Sequence, residues 1–236
     1  MSLMRLDKYL SNSTSESRSK VKEILKAGRV KVNGNTVKDA DTKIDSGNDL
    51  VELDGSAVIY EQFRYYMLNK PAGCVSAVKD KLSDTVIELL SKENTKDLFP
   101  VGRLDKDTEG LLLITNDGNL AHDLLSPNKH VDKVYEAILD NEIKEEDIEI
   151  IENGIDIGDE KPCLPAKVKK IDDKKVLITL HEGRYHQVKR MFAACGLKVE
   201  YLKRLSMGGV GLDEGLKPGE YRRLSEKETE LLRKRG

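Results

Sequence analysis

The sequence is poor in cysteine and has no cysteine pattern that would hold a metal or form a disulfide framework. Its three cysteines, Cys74, Cys163 and Cys195, are far apart and odd in number, and no CxxC pair occurs. The four histidines show no metal-ligand spacing with them. We therefore expect no zinc site and no disulfides, and we interpret the three thiols as ordinary buried or half-buried side chains.

Long apolar runs are also missing. No stretch approaches the ~20 apolar residues of a membrane helix, and the N-terminal MSLMRLDKYL lacks the apolar centre of a signal peptide. With 38% hydrophobic and 35% charged residues, the composition predicts a soluble, cytoplasmic protein without a membrane partner. No P-loop or GxGxxG motif is present, so we expect no nucleotide cofactor.

The net charge is small, −2, but the charges are unevenly distributed. In residues 140–160, DNEIKEEDIEIIENGIDIGDE, every charged residue is acidic except one lysine. Other segments must then be basic, and their position matters more than the total. We interpret the acidic stretch as a solvated helix and loop far from any RNA.

The first basic segment, RLDKYLSNSTSESRSKVKEILKAGRVKVNG, predicts a compact helical unit. Apolar spacing indicates a helix from Leu6, a polar break over 11–16, and a second helix over 17–27 that Gly28 ends. Asn33-Gly34 then predicts a hairpin. The basic residues of this unit are Arg5, Lys8, Arg18, Lys20, Lys22, Lys26 and Arg29. Single lysines usually mark a solvated helix face, but their concentration here favours a surface that follows RNA phosphates.

This N-terminal segment resembles an S4 RNA-binding domain, a small module of two helices followed by a hairpin. The resemblance covers residues 4 to about 50, and the unit ends near residue 58. The loop before Ser17 departs from the pattern, because many relatives have glycine where this chain has Ser-Thr-Ser-Glu.

The remaining residues alternate between strand-like and helix-like patterns. RYYMLNK, KVLITL, EYRRL and the alternating HVDKVYEAIL predict strands, whereas SDTVIELL, NLAHDLL and YHQVKRMFAACG predict helices. The buried stripe of the last helix would consist of Val188, Met191, Phe192 and Cys195. Ser83 or Asp84 would cap the first of these helices, and a capping box from Ser225 to Glu228 opens a final one. We therefore expect an α+β protein with domains at 1–58 and 59–236.

A charged cluster stands directly in front of a buried strand in GRLDKDTEGLLLITNDG, residues 102–118. The short run Leu111–Ile114 reads as a core strand that ends at the turn signal of residues 116–118. Asp105 and Asp107 before it either cap a loop or build a site. A catalytic aspartate must be ionised, rigidly held and paired with a cation.

Cations and a flat ring are available elsewhere in the sequence. The helix beginning near Tyr185 carries His186, Lys189 and Arg190 on one face, and Tyr135 lies on a predicted strand where it could stack against an extruded base. Alone, Tyr135 would be interpreted as a core tyrosine, Lys189 as a solvated lysine, and His186 as a polar residue without acid–base function. Only their combination with the aspartate block favours a site.

Together these blocks resemble the pseudouridine synthases of the RsuA/RluB family, most closely the branch that modifies small-subunit ribosomal RNA. The resemblance rests on GRLDKDTEGLLLITNDG, LAHDLLSPNKHVDKVYEAIL and EGRYHQVKRMFAACG, with LNKPAGCVSA before and PGEYRRL after them. It spans residues 3 to about 230. It implies an S4-type domain followed by a larger catalytic domain with a mixed, mainly antiparallel sheet flanked by helices.

The resemblance also implies roles for individual residues. Asp105 would be the catalytic aspartate, Tyr135 the active-site tyrosine and Lys189 the basic partner of Asp105, at a position where many relatives have arginine. Asp107 would be structural or orient the loop. RNA contacts in this domain would come from Arg103, Arg184, His186, Gln187 and Arg190.

The implied reaction is the isomerisation of a uridine to pseudouridine, which consumes nothing and needs no metal or cofactor. The implied partner is ribosomal RNA, with one small-subunit uridine as the target and a large-subunit uridine as the alternative. We expect a monomer, because no patch in the sequence demands a partner chain. Asp105 would either attack the ribose or remove a proton from it.

Two other classes of function compete with this one. A non-enzymatic RNA-binding or ribosome-assembly protein would be indicated by loss of Asp105 or Tyr135, and both are present. A metal-dependent phosphodiesterase built on Asp105 and Asp107 would require more converging acids and histidines than the block supplies.

Overall fold

The structure of the protein is a computed structural model that describes residues 3–14 and 16–235, and of Arg235 the backbone alone. Ser15, in the polar break predicted before the second helix, lies outside the described residues, as do Met1 and Ser2 of the predicted first domain. The chain divides into two compact units. The N-terminal unit comprises 1–63 and 92–97, and the C-terminal unit comprises 64–91 and 98–236. The domain boundary predicted at residues 58 and 59 stays a prediction.

The N-terminal unit consists of two short helices and two small antiparallel sheets. One sheet pairs β1 with β4, and the other has the order β3-β2-β5-β6. The elements of this unit are β1 (Leu3–Arg5), α1 (Leu6–Ser13), α2 (Arg18–Lys26), β2 (Val30–Val32), β3 (Asn35–Thr36), β4 (Lys43–Asp45), β5 (Val51–Leu53) and β6 (Ser56–Ala57).

Helix α1 is longer than the sequence predicted, because the polar residues at its end remain helical. Ser11 is fully buried and its hydroxyl donates to the carbonyl of Lys8 at 3.2 Å, so its polar atom is satisfied within the helix. The break therefore starts at Thr14 and not at Ser11. Helix α2 begins as predicted, with the Ser17 hydroxyl accepting from the amide of Lys20 at 3.2 Å.

The hairpin predicted at Asn33-Gly34 connects β2 and β3. Both residues have positive φ, 50° at Asn33 and 80° at Gly34, as a two-residue turn of this hand requires. The chain thereby reverses without lengthening the loop, and Val30 and Val32 remain available to pair with β5.

Segment 92–97 belongs to the N-terminal unit although it is distant in sequence. The Asn94 side-chain amide donates to the carbonyls of Asn12, at 3.1 Å, and Thr14, at 2.6 Å. The Lys96 ammonium donates to the Ser11 carbonyl at 3.2 Å and to the Asn12 side chain at 3.0 Å. Because the last carbonyls of a helix have no partner within it, this segment supplies the cap that α1 lacks.

The C-terminal unit is built on one large sheet with helices beside it. Its strands are β7 (Tyr65–Lys70), β8 (Phe99–Pro100), β9 (Glu109–Thr115), β10 (Lys133–Leu139), β11 (Lys167–Lys170), β12 (Lys175–Leu180), β13 (Val199–Met207), β14 (Val210–Gly211) and β15 (Tyr221–Arg223). Its helices are α3 (Gly118–Leu125), α4 (Glu145–Glu152), α5 (Gln187–Ala194) and α6 (Glu226–Arg235), and a 3-10 turn covers Pro127–Lys129.

The sheet order is β11-β12-β10-β13-β9-β7-β15, with β14 pairing to β13 and β8 to β9. Among the described strands, β9 and β13 form the one parallel pair, and the other pairs are antiparallel. The predicted α+β class, with a mixed and mainly antiparallel sheet, is confirmed. The core strand predicted at Leu111–Ile114 is the buried centre of β9.

The helix predicted at SDTVIELL is wrong. Residues 86–89 form only a turn, and Val75 and Thr85 form an isolated parallel bridge. The Val75 amide donates to the Asp84 carbonyl at 2.9 Å, the acceptor that a helix starting here would use for its own first bond. Val86 and Leu90 are still buried in the core, so the apolar spacing predicted their burial correctly but their secondary structure incorrectly.

The helix predicted at YHQVKRMFAACG is present as α5, which buries Val188, Met191 and Phe192 as expected. The turn signal at 116–118 proves to be a helix start, because the Asp117 carboxylate accepts from the amide of Leu120 at 3.2 Å and caps α3. The final capping box is confirmed, with Ser225 and Glu228 bonding reciprocally at the start of α6.

Four residues on adjacent strands form a row across the sheet. The register pairs Tyr135 with Arg204, Arg204 with Gly110, and Gly110 with Lys70. Gly110 has φ 98°, and a Cβ there would lie 2.3 Å from the carbonyl oxygen of Arg204. The row therefore packs at backbone distance where β9 meets β13, directly after the charged cluster of 103–107.

Within the described parts of the chain, no helix has the combination of length and apolar character that a bilayer crossing requires.

Gly110→Ala tests this close approach. We expect it to destabilise the C-terminal unit by about 3 kcal/mol or more, because the new methyl group collides with backbone that cannot move. Gly209→Ala is the matched control: φ is also positive, 84°, but nothing lies within 4 Å of the added atom, so only the conformational cost of about 1–2 kcal/mol applies. Equal unfolding midpoints in urea for the two variants would contradict the argument.

Candidate functional site

The loop before β9 is fastened to β7 by a buried lysine. Lys70 has no exposed surface, and its ammonium donates to the carbonyls of Pro71 at 3.0 Å, Asp105 at 3.0 Å and Thr108 at 2.9 Å, with Lys106 at 3.4 Å. Burial lowers the pKa of Lys70. The backbone that carries the Asp105 side chain is thereby fixed at its own carbonyl.

The Asp105 carboxylate faces the start of helix α5. Its Oδ2 lies 3.4 Å from the Lys189 ammonium and its Oδ1 lies 3.4 Å from Nε2 of His186. The side chains of Asp105 and Lys189 are each 25% exposed. Asp105 is therefore partly exposed, lies on a loop held by Lys70 and stands beside a cation, so it meets the requirements of rigidity and pairing that were set out for a catalytic aspartate.

Asp107 is a second partner of the same ammonium. Lys189 Nζ lies 2.6 Å from Asp107 Oδ1, a shorter contact than it makes with Asp105. The hydrogen bond from Lys189 lowers the pKa of the Asp107 carboxyl. Lys189 therefore stands between two carboxylates, and the neighbouring lysine Lys70 acts on the same loop through backbone only.

Tyr135 lies behind this group in the core of the sheet. Its residue surface is 9% exposed, and Nη1 of Arg204 donates to its hydroxyl at 3.4 Å while the guanidinium carbon lies 5.9 Å from the ring centre. No hydrogen bond or ion pair joins Tyr135 to Asp105 in the described chain. They are connected only through the sheet, because β10, β13 and β9 are neighbours and Asp105 lies four residues before the start of β9.

Two of the arginines predicted to bind RNA are held by protein atoms. Arg184 donates to the carbonyls of Lys161 at 2.6 Å and Pro162 at 2.7 Å and pairs with Glu182 at 3.0 Å. Arg190 pairs with Asp159 at 2.6 Å. Asp159, near the end of the acidic segment, thus contacts two of the predicted RNA-binding residues, and the expectation that this segment lies far from RNA stays a prediction.

The other predicted RNA contacts in this unit differ in accessibility. Gln187 is 4% exposed and its amide donates to Glu182 at 2.7 Å. His186 is partly exposed and contacts Asp105 as described. Arg103 is exposed and makes no hydrogen bond or ion pair within the described residues. Of this set, His186 contacts Asp105 and Arg103 is exposed, and the RNA-binding role of both stays a prediction.

Four of the predicted basic residues of the N-terminal unit converge on one groove. An open groove of about 450 Å³ is lined by Arg5, Asp7, Lys8, Arg18, Ser19 and Lys22. Arg5 is also paired with Asp7 at 2.8 Å. Lys8, Arg18 and Lys22 also line the groove, and their side chains make no hydrogen bond or ion pair with the residues that the structure describes.

The three other basic residues of that unit that were predicted to bind RNA do not line this groove. Lys20 pairs with Glu23 at 3.0 Å on the same helix, and Arg29 holds Asp54 through two hydrogen bonds, one of 2.9 Å. Lys26 is exposed in the last turn of α2. Exposed pairs of this kind contribute little stability, at most about 1 kcal/mol.

A second groove of about 490 Å³ continues past Lys8 and Arg18. Lys96 and Asp97 of the inserted segment line it together with Asn12, Glu16 and Ser17. Sequence analysis placed no function on Lys96, because its distance along the chain conceals its position in this unit.

Comparison with known proteins assigns the two parts of the chain. The family model described as RNA pseudouridylate synthase matches residues 64–194, and the S4 domain model matches residues 4–51. The chain belongs to the RNA pseudouridine synthase family. Its predicted enzyme class, an isomerase that acts on RNA, is thereby confirmed, together with the S4 domain.

The synthase is similar over nearly its whole length to curated relatives. The uncharacterized RNA pseudouridine synthase YtzG of Bacillus subtilis (strain 168) is 50% identical over 234 residues, covering 97% of this chain and 98% of that protein. Ribosomal small subunit pseudouridine synthase A is 41% identical in Vibrio cholerae and 40% identical in Escherichia coli (strain K12), covering 96% and 95% of this chain and 98% of each relative.

A solved structure also resembles the synthase throughout. A crystal structure of a pseudouridylate synthase superposes with a TM-score of 0.70 at 39% identity and covers 97% of this chain and 99% of that one. The similarity in fold therefore extends over both units and supports the family assignment from sequence.

Three buried basic residues at or near the site were not predicted from the sequence. Lys70 and Lys133 stand in strands that read as apolar or alternating, where a lysine is expected to point to solvent, yet both are buried. Arg204 is 2% exposed, and its Nη2 has no hydrogen-bond partner in the described chain. The only available signal was lysine directly before proline in LNKPAG, at the end of an otherwise apolar strand.

Lys133 gives the synthase a pH-dependent stability. Burial, reinforced by the nearby charge of Arg204, lowers its pKa from 10.5 to about 8. The unfolded chain then binds the proton more tightly than the folded chain, so the penalty is fully present below about pH 8 and disappears as pH rises to 10.5. We expect Lys133→Met to remove a penalty on the order of 3 kcal/mol.

Urea unfolding of wild type and Lys133→Met across that window measures the effect. Wild type should gain stability with rising pH relative to the variant, whereas the exposed-lysine control Lys167→Met should follow wild type. Parallel curves for all three proteins would show that Lys133 carries no such penalty.

Proposed function

We propose that this synthase converts one uridine of small-subunit ribosomal RNA to pseudouridine, with Asp105 as the catalytic residue. The observation that carries the residue assignment is the Asp105 carboxylate held beside Lys189 and His186 on a loop fastened by Lys70. The target is supported by the relatives named ribosomal small subunit pseudouridine synthase A. A large-subunit uridine is the alternative.

The reaction requires the target nucleotide to leave its stack, at a cost of a few kcal/mol. In this proposal Arg103 holds the phosphate beside it, and Tyr135 provides a flat ring for the base once the pocket opens. Residues 1–58 bind RNA through the groove of Lys8, Arg18 and Lys22, and residues 59–236 perform the chemistry. The protein acts as a monomer in the cytoplasm.

Asp105 starts the cleavage of the bond between uracil N1 and ribose C1′, by attack at the ribose or by proton removal from it. The detached base rotates, and a bond forms between C5 and C1′ as the Asp105 carboxylate leaves the ribose in the first route or returns the proton to it in the second. C5 loses its proton and N1 gains one, so the product is an isomer and nothing is consumed. The Lys189 ammonium, 3.4 Å from the Asp105 carboxylate, places a positive charge beside the reacting group, and partial burial strengthens that interaction.

Mapping pseudouridine across both ribosomal RNAs of cells lacking the protein tests this function. We expect one small-subunit uridine to lose its modification and to regain it on expression of wild type but not of Asp105→Asn. In vitro the Asn variant should lose at least about 10³-fold in rate, because it keeps the shape but cannot act as nucleophile or base.

Asp107→Asn is the matched control for that experiment. Because Asp107 contacts Lys189 and not the reacting atoms, we expect a loss below about tenfold. An unchanged modification map in the deletion would remove the proposed target, and equal losses in the two variants would remove the special role of Asp105.

The N-terminal groove predicts a salt-dependent affinity. Lys8→Gln with Arg18→Gln should weaken RNA binding and make the plot of log K against log salt less steep by about 1.5, since two phosphate contacts are lost. Lys234→Gln, at an exposed position on α6, should leave that slope unchanged. Fluorescence anisotropy with small-subunit ribosomal RNA transcripts measures both, and an unchanged slope in the double variant would exclude the groove from phosphate binding.

A further inference from the structure

Tyr185 is an exposed aromatic residue immediately before the residue that contacts Asp105. Its surface is 73% exposed. Its ring stacks on the His186 ring with centroids 3.9 Å apart and an angle of 16° between the planes. One face of Tyr185 is therefore covered by His186, and the exposed surface is the opposite face and the ring edge.

The backbone around Tyr185 is held by several hydrogen bonds. The Arg190 guanidinium donates to the Tyr185 carbonyl at 3.2 Å, and Arg190 is itself fixed by Asp159. The amide of Arg184 donates to the buried Gln187 side chain at 3.0 Å, and the Gln187 amide donates to the Arg184 carbonyl. An exposed ring on a fixed turn loses little conformational freedom when a ligand packs on it.

The stacked pair is adjacent to the candidate catalytic carboxylate. His186 Nε2 lies 3.4 Å from Asp105 Oδ1, so the Tyr185 ring is one layer further out than a ring in direct contact with Asp105. Single exposed apolar residues are common and need no explanation. The Tyr185 ring differs because it stacks on the His186 ring, its backbone is held by hydrogen bonds, and it lies next to the residue that contacts Asp105.

We infer that Tyr185 is a stacking platform for the unpaired nucleobase next to the target uridine. The target base itself must reach Asp105 and the more deeply placed Tyr135, whereas Tyr185 faces solvent at the rim. A purine or pyrimidine seated on it would continue the stack begun by His186 and keep the flanking nucleotide extruded with the target. Aromatic stacking of this kind tolerates any base, because every base has a π face.

This inference rests on the proposed function, and the experiment separates their failures. The substrate is small-subunit ribosomal RNA labelled with [5-³H]uridine and purified from cells lacking the protein. Tritium is released to water when C5 bonds to C1′. The variants are Tyr185→Phe, Tyr185→Trp, Tyr185→Leu and Tyr185→Ala, with Ile150→Ala on α4, 52% exposed, as the control.

The Phe and Trp variants keep a π face and should retain the wild-type KM, whereas the Leu and Ala variants should raise it roughly 5- to 150-fold with kcat nearly unchanged. The salt dependence of RNA binding should stay the same in all of them, because no phosphate contact is lost. Leucine is nearly as bulky and apolar as the ring, so its failure identifies stacking and not simple apolar contact.

Three outcomes would overturn the inference. One is a wild-type KM in Leu and Ala; another is an equal loss in Phe and Leu, which would assign the effect to the hydroxyl group; the third is a reduced salt slope. Should the Ala variant melt at lower temperature than wild type, the Leu variant decides. If wild type itself releases no tritium, the proposed function fails and not this inference alone.

Discussion

The conformation of the loop at residues 103–108, which carries Asp105, depends on the ammonium group of Lys70. An ammonium buried in protein costs several kcal/mol unless it is well bonded, and each charge-assisted hydrogen bond offsets about 1.5–3 kcal/mol. Lys70 makes three contacts of 3.0 Å or less and one of 3.4 Å, all to the backbone carbonyls of residues 71, 105, 106 and 108. Since none of these acceptors is a side chain, the lysine fixes the course of the loop while leaving both loop carboxylates for other partners.

That arrangement explains why two aspartates two residues apart have different surroundings. The side chain of Asp107 is 73% exposed and takes the shorter contact with Lys189, whereas that of Asp105 is 25% exposed and lies between Lys189 and His186. A lysine presents a point charge without the fixed fork of arginine, so it can serve two carboxylates at once. In this chain the cation is shared, and the less exposed carboxylate is the one next to the aromatic pair.

The basic groups behind Tyr135 follow a different principle. Lys133 and Arg204 are almost fully buried, and Arg204 leaves one nitrogen unpaired in the described chain. Buried cations without a carboxylate partner are expensive and are concentrated at functional positions. Arg204 stands in one row with Tyr135, Gly110 and Lys70, so strand pairing connects the tyrosine to the strand that follows the loop.

Sequence analysis identified what local chemistry determines. The capping serine of α2, the Asn33-Gly34 turn, the buried stripe of α5 and the alternation of β10 all follow from spacing, and they were found. The helix prediction for SDTVIELL was wrong because the amide of Val75, which lies outside that segment, donates to the Asp84 carbonyl that would accept the first bond of the helix.

The same limit applies to the site. The aspartate block and Lys189 were visible as motifs, and their proximity follows from the order of the strands. Arg184 donates to the carbonyls of residues 161 and 162, and Arg190 pairs with Asp159. These contacts depend on loops that fold back onto α5, and no local sequence pattern predicts them. Arginine in a motif therefore indicated charge correctly but not whether that charge is available to RNA.

The segment 92–97 gives the N-terminal unit a discontinuous chain. The polypeptide passes between the two units three times, after residues 63, 91 and 97. A protease cut after residue 63 would release a fragment without Asn94 and Lys96, and the last carbonyls of α1 would lose their cap. A chimaeric enzyme that borrows the RNA-binding unit of a relative must therefore exchange two stretches of sequence together.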